Sequence, residues 1–465
     1  MMKKFFTVIF CFVSLIVGAQ TDADIENYNY VLGTQTIGPK YKFTTEDALI
    51  ETAKAIYDMG SRSLKISLSV SSYPGVSGSY STLTSLVRDN ASFRQTIDMP
   101  FRNYFFWARS HANWADGYSE AERTADSIQI YDLTKYLLSH YNNTGKTFYL
   151  GHWEGDWYLL PNYDRNYVPS DERCANMAKW LRTRQNAIDK AKNEGGFNNV
   201  MVYGYVEVNQ VVDAKFSAKK RVVNCVLPLT NVDFVSYSSY DAQWYDQAKY
   251  NSILDYIEAN LPPKPGITGK RIFIGEIGNS LEKSGWDINK HESDNRAFFK
   301  TAIAWGCPFV LYWEMYNNEF DTANNRHRGF WLINDKNEKQ PLYDMFTYFY
   351  DAAKKYVERY KLINKTLPNY LEYATWASNY LATKPTAITN ISDTLSNFRV
   401  SGTNQLLLIE NNQTEAVIKV FSIKGTEILT RQIMQNEKIQ IPLGRGVYIV
   451  RIETKNQIRS QKIIL

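Results

Sequence analysis

The feature that most constrains this chain is a set of eight short apolar runs interleaved with stretches of helical periodicity between residues 30 and 360. The runs read as strands over Tyr30–Gly38, Ser63–Ser69, Tyr104–Ser110, Thr147–Glu154, Asn199–Gln210, Val232–Tyr240, Arg271–Glu276 and Pro308–Tyr316. Helices are expected between most of them, beginning with Thr45–Met59 under a Thr44 or Thr45 cap and ending with Pro341–Tyr360. Short apolar strands alternating with helices specify a parallel α/β fold. No strand–GxGxxG–helix unit marks the open, doubly wound version. A closed (β/α)8 TIM barrel over residues 20–361 is therefore the expected class, with long loops on one face.

The two ends have a different character. Residues 1–19 read as a signal peptide: Lys3 and Lys4, an apolar core from Phe5 to Val17, and a small-residue cleavage site at Val17-Gly18-Ala19. Residues 362–386, polar and aromatic with Pro368 and Pro385, read as a linker. Residues 387–465 carry short alternating strands such as Ala416–Ser422, Lys438–Leu443 and Gly446–Glu453, which predict a small antiparallel β-sandwich. No later run of eighteen apolar residues is present, so no membrane span is expected.

Charge excludes some functions. The net charge is +5. Without Lys3, Lys4 and residues 387–465, where ten Lys/Arg stand against six Asp/Glu, the central part carries −1. No basic face for nucleic acid is implied. Five His without paired spacing, and Cys174, Cys225 and Cys307 at irregular spacing, form no metal or cofactor motif, leaving room for one Cys174–Cys225 bridge.

The chemistry-bearing stretch is Arg271–Ser280, an apolar strand that ends in Glu276 between Gly275 and Gly278. A carboxylate at a strand's C-terminal end stands on the catalytic face of such a barrel. Strand parity puts Ile272, Ile274 and Glu276 on one face, and Phe148, Leu150, His152 and Glu154 on one face of the fourth strand. In the second strand Lys65 takes the polar side. Two facing carboxylates are what glycosidic cleavage needs, one to protonate the leaving oxygen and one to attack or to activate water. Glu207 is the rival acid. Only one strand separates it from Glu276, against two for Glu154, which places Glu154 on the fourth strand.

With these residues in place, the region over about 25–360 resembles the clan of retaining (β/α)8 glycoside hydrolases that carry catalytic Glu on strands four and seven. The resemblance lies in Gly269–Gly278 and in His152-Trp153-Glu154. It implies Glu276 as nucleophile and Glu154 as acid/base, with Trp153 standing where the clan usually has Asn. It also implies Trp313 as a floor for the sugar, Lys65 in place of a strand-two Arg, and Tyr240 (or Tyr237) as a partner of the nucleophile. Trp107, His152, Trp153, Glu207 and Asn209 are candidate sugar contacts. His111, Trp114, Asp156, Trp157, Asp241, Trp244, Asn317 and Glu319 could line the cleft, and Arg326-His327-Arg328 could hold an acidic sugar. The C-terminal stretch resembles the type IX secretion sorting domain of Bacteroidetes-type bacteria in residues 420–428, 441–453 and 461–465. Together these imply a secreted enzyme acting on a polysaccharide or oligosaccharide without a cofactor, with the type IX secretion machinery as partner. A non-catalytic glycan-binding barrel, a transglycosylase and a lyase share the fold.

Overall fold

The computed structural model describes residues 22–109 and 113–383 and, towards the C-terminus, 398–403, 406–411, 415–422, 425–444, 446–454 and 458–464. The expected signal peptide and His111 lie outside these. The chain divides into two units, Met1–Lys384 and Pro385–Leu465.

In the first unit β1 (Leu32–Thr36), β2 (Ser63–Ser67), β3 (Asn103–Trp107), β4 (Thr147–Gly151), β5 (Met201–Val208), β6 (Phe234–Ser238), β7 (Ile272–Ile277) and β8 (Val310–Tyr312) form a closed barrel in chain order. Every neighbouring pair is parallel, and β8 closes on β1. The fold is the TIM barrel expected from the alternation.

Two apolar layers hold it. Tyr104, Phe106, Phe148, Leu150, Ile272 and Ile274 join the main core shared with the helices. Phe105, Tyr149, Tyr205, Phe234, Phe273 and Phe309 form a second cluster inside the barrel, where Phe105 and Tyr149 stack with ring centroids 4.6 Å apart. Further along the strands the inward positions change: Trp107 follows Phe105, Glu207 follows Tyr205, and Ser236 and Ser238 follow Phe234. The aromatic layer is thus a packed floor beneath a polar mouth.

Helix ends follow local chemistry. The first helix of the barrel begins at Ala48, not Thr45, because the Asp47 carboxylate accepts from the free N–H groups of Leu49 and Ile50. Thr44 instead donates to Glu51. Residues 362–386, expected as a linker, include a helix over Tyr370–Ala382, started by a capping box between Asn369 and Glu372. Its Trp376 stacks on Tyr356 of helix Pro341–Asn364 at 4.7 Å, so the aromatic residues that suggested a linker bury a helix face.

Cys174 and Cys225 form a disulfide with Cα atoms 5.8 Å apart, tying helix Asp171–Asn193 to the turn at Val222–Val226, while the Cys307 thiol is buried. Past β8, two short strands, β9 (Phe320–Asp321) and β10 (Arg326–His327), pair antiparallel. Among the described residues no helix is long and apolar enough to cross a membrane.

The second unit holds two antiparallel sheets. One has the order β11 (Phe398–Thr403), β12 (Leu406–Asn411), β15 (Lys438–Pro442). The other has β14 (Glu427–Ile433), β13 (Ala416–Ser422), β16 (Val447–Thr454), β17 (Ile458–Ile464). Period-two alternation builds its core: Ile439 and Ile441 turn inward with Leu407, Ile409, Ile418, Val420, Val450 and Ile452.

Candidate active site

Glu276 reaches the barrel mouth through a bulge. Against β6, Tyr237 pairs with Ile274 and Ser238 with Glu276, leaving Gly275 unmatched. Ile272 and Ile274 face the helices, but the extra residue turns Glu276 inward. The parity expectation of one shared face for all three is therefore corrected. Gly275 has no room for a side chain: a Cβ there would lie 1.8 Å from Ser236 Oγ and 2.9 Å from Glu207 Oε2.

Lys65, fully buried on β2, gives the mouth its cation. Its Nζ lies 3.0 Å from Glu207 Oε2, 3.2 Å from Glu276 Oε1 and 3.0 Å from the Gly275 carbonyl oxygen that the bulge exposes. All three ammonium donors are engaged. Ser236 donates to the same Glu207 oxygen at 2.7 Å. One ammonium between two carboxylates leaves the trio one negative charge in excess. Burial pushes the Glu276 carboxyl well above the usual carboxylate range, Lys65 opposes this, and the charges of Glu207 and Glu154 reinforce it.

Glu154 stands three residues past β4, in the turn that opens helix Gly155–Leu159. Its Oε1 accepts from Ser238 Oγ at 2.5 Å. Ser238 is also the ladder partner of Glu276, so one serine links the ends of β4 and β7. Burial raises Glu154 to about 7; the Glu207 charge adds to this and the Ser238 hydrogen bond works against it. The turn is stapled from behind. Buried Asp156 accepts from the backbone N–H groups of Asn209 (2.9 Å), Gln210 (3.1 Å) and Val222 (2.8 Å), and its own N–H donates to Asn209 Oδ1 at 3.0 Å.

Aromatic walls enclose the carboxylates. Trp313 packs with Ile37 and Phe330, and Trp107 and Tyr240 border that cluster. Trp107 lies 6.2 Å from Trp313 and 6.5 Å from Trp153 between ring centroids, with Lys65 Nζ 4.8 Å from its own. Burial pushes the Tyr240 hydroxyl well up, and the Glu276 charge adds to this. Tyr237 faces the outer core and donates to Asp241.

The structure thus gathers Lys65, Trp107, Trp153, Glu154, Glu207, Tyr240, Glu276 and Trp313 at one mouth. It places two candidates elsewhere. His152 is packed behind the strand between Trp180 and Tyr158, donates from Nδ1 to the Trp153 carbonyl at 2.7 Å, and is driven down to about 3 by burial. Asn209 belongs to the Asp156 staple. Trp114 stacks on Trp180 in the core, Asn317 accepts from the N–H groups of Gly329 and Phe330, and Arg326 and Arg328 pair with Asp321 and Glu282. Sequence reasoning missed Ser236 and Ser238, whose signal was their shared parity with Phe234. A cleft of about 1300 Å³ opens beside Trp107 and Trp153 and runs over the loop after β2.

Residues 402–465 match the family described as the secretion system C-terminal sorting domain. The C-terminal unit is a secretion sorting domain. No curated protein matches the chain. The solved structures similar to it include the following three. An FMN-binding beta-glucuronidase from Facaelibacterium prausnitzii L2-6 is 10% identical with a TM-score of 0.41, covering 93% of this chain and 56% of its own. A family 39 glycoside hydrolase from Bacteroides cellulosilyticus WH2 is 12% identical with a TM-score of 0.41, covering 90% and 80%. A GH5-4 broad specificity endoglucanase from Bacteroides salanitronis is 14% identical with a TM-score of 0.40, covering 70% and 92%. The chain spans about half the length of the first structures it matches, at 56% and 45%.

Proposed function

We propose that this chain is an exported retaining glycoside hydrolase that cleaves a polysaccharide or oligosaccharide by double displacement. The observation that carries this reading is Ser238, paired with Glu276 in the ladder while its hydroxyl holds Glu154. Neighbouring strands lie about 4.8 Å apart. Two buried carboxyl groups linked in this way suit the separation of about 5–5.5 Å used by retaining enzymes.

The roles follow from the charges. Lys65 touches Glu276 and Glu207 but not Glu154. The Lys65 ammonium is a counterion for Glu276, so Glu276 is assigned the anion, and Glu154, which Lys65 does not touch, is assigned the acid. Lys65 grips Oε1 of Glu276 and leaves Oε2 for the anomeric carbon. As that bond forms, Glu154 protonates the departing glycosidic oxygen. Glu154 then takes a proton from water, which attacks the glycosyl-enzyme and frees Glu276. Trp313 and Tyr240 border the sugar ring. The sorting domain is read as the address for the type IX secretion machinery, which would deliver the enzyme to the cell surface or the medium.

The test is release of reducing ends from a panel of neutral and acidic polysaccharides. Glu276→Gln is expected to fall to background, and Glu154→Gln to lose about 10³-fold, with azide restoring turnover of an activated glycoside by Glu154→Ala. Binding without any release by the unmodified chain would replace this reading with a non-catalytic glycan-binding barrel.

A further inference from the structure

The 1300 Å³ cleft is charged in one sense only. Lys40, in the loop after β1, and Arg109, just past β3, line it, and none of its described lining residues is Asp or Glu. Neither cation is in an ion pair with a described residue, whereas Arg326 and Arg328 on the β8 side are both paired with carboxylates. Arg109 is held over the Tyr158 ring at 4.9 Å, and the Lys40 backbone N–H is fixed to the Asn317 carbonyl at 3.1 Å. Between the two, the cleft is lined by serine and tyrosine hydroxyls from residues 67–82, and its inner wall is Trp107 and Trp153. Trp107 also carries the Lys65 ammonium 4.8 Å from its ring, and that ammonium holds Glu207 and Glu276, so the cleft reaches the edge of the proposed catalytic centre.

We propose that this arm binds a glycan carrying anionic substituents, uronate carboxylate or sulfate ester, and that it reads the negative charge at a sugar remote from the bond being cleaved. The inference rests on the hydrolase reading and deepens it. Hydroxyl groups and flat aromatic faces fit sugar rings, and two cations with no ion-pair partner among the described residues supply a charge complement that a neutral glycan would leave unmet. The catalytic centre itself holds Glu154, Glu207 and Glu276 around one lysine, with Glu319 near Trp313. An anionic group there would meet like charge, which is why the substituent belongs in the arm.

The test uses the full chain carrying Glu276→Gln, so that binding is read without turnover. The probes are polygalacturonate for carboxylate, carrageenan for sulfate, and β-glucan and galactomannan as neutral polymers. At low salt at least one anionic probe is expected to bind tenfold or more tighter than either neutral one, and which one separates carboxylate from sulfate. Adding Lys40→Ala and Arg109→Ala should weaken that binding at least tenfold without changing the melting temperature, and 0.5 M NaCl should weaken the parent's binding likewise. Equal binding of neutral probes, no binding of any probe, or anionic binding indifferent to both the double substitution and salt would overturn the inference. A chain that binds the anionic probe but releases no reducing ends from any glycan would sink the hydrolase reading and leave the arm intact. Cleavage of neutral glycans with no anionic preference would do the reverse.

Discussion

Lys65 Nζ sits 3.2 Å from Glu276 Oε1 and 3.0 Å from Glu207 Oε2, so one buried ammonium serves carboxylates from β5 and β7, the two strands that flank β6. Removing the cation strands both. Lys65→Met is expected to cost about 3–5 kcal/mol of stability and to abolish turnover, as read by chemical denaturation and a reducing-end assay. Glu207→Gln acts differently. It removes a like charge near Glu276 and leaves Lys65 to it alone, so the Glu276 pKa falls. The acid limb of kcat/KM should move about one unit to lower pH, and an unmoved or raised limb would count against the shared-lysine arrangement.

Glu154 sets the opposite limb. With its carboxyl near 7, kcat/KM should fall as pH rises through about 7. The Ser238 hydroxyl stabilises the ionised form, so Ser238→Ala should raise this pKa and move the basic limb upward. Stability follows the same titration. The unfolded chain releases this proton near 4.5 and the folded chain near 7, so the folded state binds more protons between these values and loses stability as pH rises through them. The full loss is about 3 kcal/mol. Glu154→Gln should therefore be about 10³-fold less active yet more stable than the parent at pH 8, with the gain vanishing near pH 4. An equal stability difference at both pH values would contradict the raised carboxyl.

Gly275 tests the bulge. Gly275→Ala forces a methyl group against Ser236 Oγ and Glu207 Oε2. Overpacking of this kind costs about 1–3 kcal/mol, and here it displaces the strand that carries Glu276. Activity should fall further than stability alone explains, measured as kcat well below the folding midpoint. Full activity in this variant would mean that the bulge does not position the carboxylate.

The Cys174–Cys225 disulfide closes a loop with a sequence separation of 51 residues behind the Asp156 staple. Loop-closure entropy for that span is about 4 kcal/mol. Cys225→Ser should lower the melting temperature and, through the Val222 end of the staple, loosen the turn holding Glu154. A variant with unchanged stability would show that the bridge does not hold this region.

Much of the barrel was legible because its strands are short apolar runs interleaved with stretches of helical periodicity. The orientation of Glu276 was not, since a bulge changes which way a side chain points without changing the sequence pattern that suggests a strand. His152 misled for a related reason: parity continued correctly along β4, and that parity points at helix Asp171–Asn193 while Glu154 lies beyond the strand. Asn209 was placed at the right strand end, but its partner Asp156 comes from another loop, a pairing only the tertiary fold creates. The helix at Tyr370–Ala382 was readable in principle. Asn369 with Glu372 is a capping box, and Tyr373, Trp376 and Tyr380 recur at helical spacing.

Trapping shows directly whether Glu276 forms a covalent bond to the sugar. The full chain would be incubated with 2-deoxy-2-fluoro glycosides bearing a fluoride leaving group, in the gluco, galacto, manno and xylo series, and digested for peptide mass spectrometry. One series is expected to inactivate the enzyme and to add one fluoroglycosyl mass to the peptide containing Glu276, with Glu276→Gln unlabelled. A label on Glu207 or Glu154 instead, or steady turnover of the reagent with no labelled peptide, would contradict the account.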